Sequence, residues 1–145
     1  MSEYYGFENL ECWKQAKDLA ADMCRLSVRD AMDGDRVVGD LLCRSAIAVM
    51  SRIAEGKERR GSFEFVESLQ QARGSTAALR SGLILSRDMG YLPEGDFIDL
   101  QDRANRVAAL IGGLIKAIRK SRQNRGGESG SSPQSGDAAG QAAPE

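Results

Sequence analysis

The chain has 145 residues, 41% hydrophobic and 28% charged, with a net charge of −1. That is one domain's worth, long enough to bury a core and ordinary in composition for a soluble protein. A near-zero net charge excludes a polybasic binder of the whole-chain kind, and no apolar run approaches the ~20 residues of a membrane span.

Residues 1–11, MSEYYGFENLE, show no basic segment followed by an apolar core, so no secretory leader is visible and a cytoplasmic location is expected. Helix one follows, with Cys12, Ala16, Leu19, Met23 and Leu26 on one face. Trp13 near its start reads either as a bundle-end anchor or as a stacking platform for bases, as does Tyr91 further on. Asp18 and Asp22 lie one helical turn apart but have no evident acid–base partner, so they read as a solvated face.

The three cysteines, Cys12, Cys24 and Cys43, form no CxxC pair. Cys12 and Cys24 sit about 18 Å apart along one helix, too far to bridge. Buried free thiols are the expectation.

The stretch DGDR at 33–36 reads as a turn with Asp35 capping helix two. Its DGD faintly suggests a calcium loop, but the later ligands and the closing Glu are missing. Helix two is apolar on more than one side, with 12 apolar residues among the 18 from 37 to 54. Glu55 and Gly56 close it, and Glu55 reads as a structural or interface residue rather than a catalyst. A short basic knot follows with Lys57, Arg59 and Arg60, and then Gly61 and Ser62 can start helix three, with Ser62 as the expected N-cap.

Helix three places Phe65, Leu69, Ala72, Thr76, Leu79 and Leu83 on one stripe. Away from it, Gly74, Ala78 and Gly82 recur every four residues. A helix-interior glycine costs about 1 kcal/mol relative to alanine. Together with Met50 and Ala54 of the multi-sided helix two, this stripe reads as an intersubunit face. The other reading is that small residues admit a bulky neighbour of the same subunit. Arg73, Arg80 and Arg87 repeat every seven residues at the border of the core stripe. They either lay their methylenes over the core beside the next helix or form a phosphate-tracking stripe.

Gly90 is placed to end helix three and Pro93 to stand near the first turn of helix four. Helix four carries Phe97, Leu100, Ala104, Val107, Ile111, Leu114 and Ile118. Residues 122–145 are rich in Gly, Ser, Pro, Gln and Ala and read as a disordered tail. The sequence therefore predicts an all-α domain over 1–121, an antiparallel up-down-up-down four-helix bundle. With no histidine in the chain, His-based triads and the His ligands of zinc or di-iron bundle sites are excluded. No strand precedes a Gly-rich phosphate loop. No metal, no cofactor and no enzymatic activity are expected.

Five segments, FENLECWKQA, RSAIAVMSRIAEG, RRGSFEF, ARGS and LSRDMGYL, come in an order that resembles the four-helix-bundle proteins encoded in intervening sequences of bacterial ribosomal RNA genes. The resemblance spans about residues 7–120. It implies a bundle that assembles as a ring-like homopentamer. Related accessory proteins of diversity-generating retroelements share this architecture and work with a reverse transcriptase and RNA. Met50 and Arg52 stand where relatives usually carry Pro and Asn, and loss of a helix-interior proline should straighten helix two. Ala78 stands where relatives often carry Glu.

The antiparallel topology also predicts an electrically polar bundle. Residues 1–14, 52–67 and 114–125 share one end and hold ten basic and seven acidic residues. Residues 27–40 and 87–103 share the other and hold four basic and nine acidic. The basic end collects Lys57, Arg59, Arg60, Lys116, Arg119, Lys120 and Arg122. Ring symmetry would repeat it around one face and concentrate positive potential there. Two functions follow as alternatives: an oligomer that contacts the phosphates of RNA or DNA through this end, or a protein–protein scaffold without a nucleic-acid role.

Overall fold

The computed structural model describes residues 6–28 and 36–129. A 3₁₀ turn, Phe7–Asn9, leads into α1 (Glu11–Leu26), α2 (Arg36–Glu58), α3 (Ser62–Asp88) and α4 (Glu94–Ser129), and no strand occurs among the described residues. Each helix packs on its neighbour in sequence, and α4 packs back on α1 to close the square. This is the all-α, up-down-up-down four-helix bundle expected from the spacing. Among the described residues no helix is long and apolar enough to cross a membrane.

The stripes face inward as the helical period requires. Cys12, Ala16, Leu19, Met23 and Leu26 are buried on α1, and Leu69, Ala72, Thr76, Leu79 and Leu83 on α3. On α4 the stripe holds from Phe97 to Ile111 and then shifts: Ile115 is buried, while Leu114 and Ile118 are only partly so. A strict seven-residue repeat drifts by about 20° per heptad on a 3.6-residue helix, so after two heptads the core passes to the next residue. The two most deeply buried hydroxyls are satisfied inside their own helix. Thr76 Oγ1 donates to the Arg73 carbonyl at 2.6 Å and Ser86 Oγ to the Gly82 carbonyl at 2.9 Å.

Helix ends follow the glycines. Gly90, at φ 80°, follows α3; its N–H donates to the Arg87 carbonyl at 3.0 Å and the Tyr91 N–H to the Ser86 carbonyl at 2.9 Å. That bond pair is the Schellman motif, in which glycine tolerates the left-handed turn. At the other end of α3 the expected Ser62 cap is corrected. Gly61, at φ 107°, holds the cap position with no side-chain cap bond. A Cβ there would run into the Glu64 carboxylate. The turn at 33–36 and its cap Asp35 lie outside the described residues, apart from Arg36.

Two further expectations need correction. Cys24 and Cys43 form a disulfide between α1 and α2, with a Cα–Cα distance of 4.9 Å, while Cys12 stays a buried free thiol. Spacing along one helix rules out a bridge within that helix, but pairing across helices depends on how the two are set against each other. Asp22 is not merely solvated. It accepts from Arg25 at 2.6 Å and from Arg103 of α4 at 2.8 Å, and so ties α1 to α4. In addition, α4 runs to Ser129, eight residues past the boundary drawn at 121.

Candidate nucleic-acid interface

The end of the bundle where α2 stops, α3 starts and α4 finishes is set by a glycine contact. Gly56 of α2 is buried, and a Cβ on it would stand 2.6 Å from Cβ of Ser68 and 3.1 Å from the Phe65 ring. This close approach lets α2 and α3 meet tightly just before the chain turns. The turn, residues 59–61, is thereby held against the last turns of α4.

Between them lies an open cleft of about 380 Å³ lined by Lys57, Arg59, Ser62, Phe65, Ser121 and Arg125, with Gly61, Ala117 and Ile118 completing it. Apolar groups form its floor, because Phe65 and Ile118 pack on the core from this side. Cations and hydroxyls form its walls. The ion pairs made by Lys17, Arg25, Arg87, Arg103 and Arg106 lie along α1, at the end of α3 and on the first half of α4, away from this cleft. Side chains with flexible stems and N–H donors on an open concave wall suit phosphate oxygens.

Of the seven predicted cations, the structure brings Lys57 and Arg59 to the cleft wall. Arg60 sits in the same turn and Arg122 follows Ser121, both exposed. Lys116, Arg119 and Lys120 are exposed on α4 but do not line the cleft. Arg125 does line it, and was missing from the predicted set. Its signal was the run of basic residues at 116–125 continuing at helical spacing past 121, which a boundary drawn on glycine content cut short. Glu64 folds back towards Gly61, as the clash described above requires. Its carboxylate therefore answers the positive start of α3.

The other arginine series is structural. Arg80 Nη1 donates to Asn105 Oδ1 of α4 at 2.9 Å, and the Arg87 guanidinium lies 4.3 Å from the Phe97 ring centroid. Arg73 Nη1 stands 3.2 Å from where a Gly112 Cβ would be. All three cross from α3 to α4, so the core-flanking alternative is the one seen. Trp13 and Tyr91 are half-buried against the core, Trp13 with its ring centroid 5.0 Å from that of Phe7. Both act as bundle anchors.

The small-residue stripe divides. Gly74 is exposed with open space above it, and Ala78 is exposed beside it. Gly82 is buried, and a Cβ there would stand 3.0 Å from Leu42 and 3.2 Å from Leu41 of the same subunit. At Gly82 the reading that a small residue admits a bulky neighbour of its own chain is therefore correct. Met50 is half-buried against its own core and Ala54 is half-buried nearby on α2. Among the described residues no group of His, Cys, Asp or Glu is arranged to hold a metal ion.

Comparison with known proteins adds two findings. The family model of the 23S rRNA-intervening sequence protein matches residues 8–113. Among solved structures, a protein of unknown function from the S23 ribosomal protein family of Bacteroides thetaiotaomicron VPI-5482 is similar in fold, with a TM-score of 0.67. It is 15% identical, over 72% of this chain and 98% of that one. No curated protein matches the sequence.

Proposed function

The chain belongs to the 23S rRNA-intervening sequence protein family, and from that premise we propose that it is a non-enzymatic, oligomeric protein that binds nucleic acid, RNA foremost, through its basic end. The observation that carries the reading is the cleft that joins Lys57 and Arg59 to Arg125, flanked by the exposed cations of the last turns of α4. Phosphates would be held by charge and hydrogen bonds without strong sequence preference. Repetition of the cleft by a ring of subunits, five by the family resemblance, would give one strongly positive face. A reverse transcriptase and its RNA are the partners that the same resemblance suggests, in a cytoplasmic setting.

The test replaces Lys57, Arg59 and Arg125 together by Glu, with circular dichroism and sizing to confirm an unchanged fold and assembly. Affinity for RNA at about 0.1 M salt, where screening acts over roughly 10 Å, is expected to fall by at least tenfold. The unmodified protein should show a steep loss of affinity with rising salt. Equal binding before and after the change would reduce the cleft to a helix turn. Absence of binding even at low salt would leave the scaffold reading standing.

A further inference from the structure

We infer that a second pocket, set between α3 and α4, binds a small organic carboxylate carried on an apolar stem. The pocket holds about 320 Å³ and is lined by Ala77, Arg80, Ser81 and Ile84 of α3 with Gln101 and Asn105 of α4. None of these residues lines the basic cleft. Asn105 precedes Arg125 on α4 by 20 residues, about 30 Å along a helix. The two sites are separate, and the inference does not rest on the phosphate-binding reading.

The walls of this pocket carry polar groups that the fold leaves unused. Arg80 Nη1 donates to Asn105 Oδ1 at 2.9 Å and so holds the guanidinium across the helix pair. Arg80 Nε and Gln101 Oε1 are both buried, and neither has a hydrogen-bond partner among the described residues. Native folds leave few polar atoms in that state, because burial without a partner is costly. Here two of them belong to one pocket, on facing helices. The charge is uncompensated as well. Arg80 forms no ion pair among the described residues, and no acidic side chain lines the pocket.

The free edge of the guanidinium, Nε with Nη2, is the one that matches the two oxygens of a carboxylate. Asn105 accepts through Oδ1, so its NH2 group remains to donate. A half-turn of the Gln101 amide loses no hydrogen bond at Oε1 and puts an NH2 group there, one more donor for an anion. That turn also uncovers the buried edge. Ala77 and Ile84, both exposed, supply apolar contact for the stem. The volume stands at the lower end of the ~300–1,000 Å³ of small-ligand pockets. A nucleic-acid phosphate is the rival anion. Tracking a strand takes a positively charged groove, whereas a single cation lines this pocket.

The experiment titrates N-acetylleucine into the isotope-labelled full chain and follows, by NMR, the side-chain NH2 signals of Gln101 and Asn105 and the Arg80 Nε–H signal. All three should shift together and saturate with a dissociation constant of about 1 mM, as expected for a ligand of that size. N-acetylleucinamide, which lacks the charge, should bind about 10-fold more weakly or not at all. Arg80→Gln should abolish the shifts at Gln101 and Asn105. That change also breaks the bond to Asn105, so Ala77→Leu provides a second variant: it fills the pocket from an exposed position, keeps Arg80 and should equally abolish binding. If the acid and the amide bind alike, the pocket is only an apolar groove and the inference is wrong. If inorganic phosphate binds as tightly as N-acetylleucine, the site takes oxyanions at large and carboxylate selectivity is overturned. If no signal moves well above that concentration, or if binding survives Ala77→Leu, the unused groups are met by water alone and the site is refuted.

Discussion

At the scale of single residues, the glycines of this bundle do three different things. Gly61 and Gly90 take positive φ at the two ends of α3. Gly56 and Gly82 let a neighbouring helix come close, and Gly74 faces open space. Sequence spacing shows all five as the same letter. The structure predicts opposite outcomes for one substitution. Gly56→Ala sets a Cβ 2.6 Å from Ser68 with its own buried backbone behind it. Overpacking of this kind typically costs about 1–3 kcal/mol. Gly74→Ala has room, and the gain in helix propensity of about 1 kcal/mol should raise stability. Thermal or urea unfolding of the two variants reads both signs, and equal effects would contradict the assigned contacts.

At the scale of elements, the α1–α2 pair carries the disulfide. Cys24 and Cys43 are 19 residues apart in sequence, and closing a loop of that size stabilises the fold by about 3 kcal/mol in the chain-entropy account. Reduction by a dithiol should lower the melting temperature, and the Cys24→Ser, Cys43→Ser double variant should match the reduced protein. Alkylation tells the three thiols apart. Without reductant little should react, because burial pushes the Cys12 thiol from 9.0 up to about 11. After reduction Cys24 and Cys43 should label first, both being partly exposed. The raised Cys12 value also fixes a sign. The fold favours the neutral thiol, so this contribution is fully present below pH 9 and is lost as pH rises from about 9 towards 11. Rapid labelling of all three thiols in the unreduced protein would contradict the pairing.

The α3–α4 pair shows the same dependence on register. Arg73, Arg80 and Arg87 are one stripe in the sequence, yet each lies over a different position on α4: the open side of Gly112, the amide of Asn105 and the ring of Phe97. Heptad spacing gave them a common border position. Their partners follow from antiparallel pairing of the two helices.

At the scale of the whole molecule, the proposed assembly has a surface consequence. Val37, Leu41, Ile47 and Leu85 are exposed apolar residues on α2 and α3, the helices that also carry open Gly74 and Ala78. In the proposed assembly these side chains would form the face that is buried. Light scattering at micromolar concentration should show an oligomer. Gly74→Arg, placed on the open part of that face, should shift it to smaller species without unfolding the subunit. A monomer in the unmodified protein would remove the ring from the proposal and leave the cleft of a single subunit to be tested alone.

The sequence by itself determined the four helices, their order, their antiparallel arrangement and most of the core, because a 3.6-residue period and short glycine- and proline-marked links are local properties. Leu69, Leu79, Val107 and Ile111 were placed in the core by spacing alone and are buried. The concentration of cations at one end was legible too, since topology alone decides which termini share an end. Tertiary structure decided what depends on the rotation and register of one helix against another. It paired Cys24 with Cys43, joined Asp22 to Arg103, moved Gly82 from the outer face to an internal contact and carried α4 far enough to bring Arg125 to Lys57 and Arg59. These contacts join residues far apart in the chain, and no local period records the angle at which two packed helices meet.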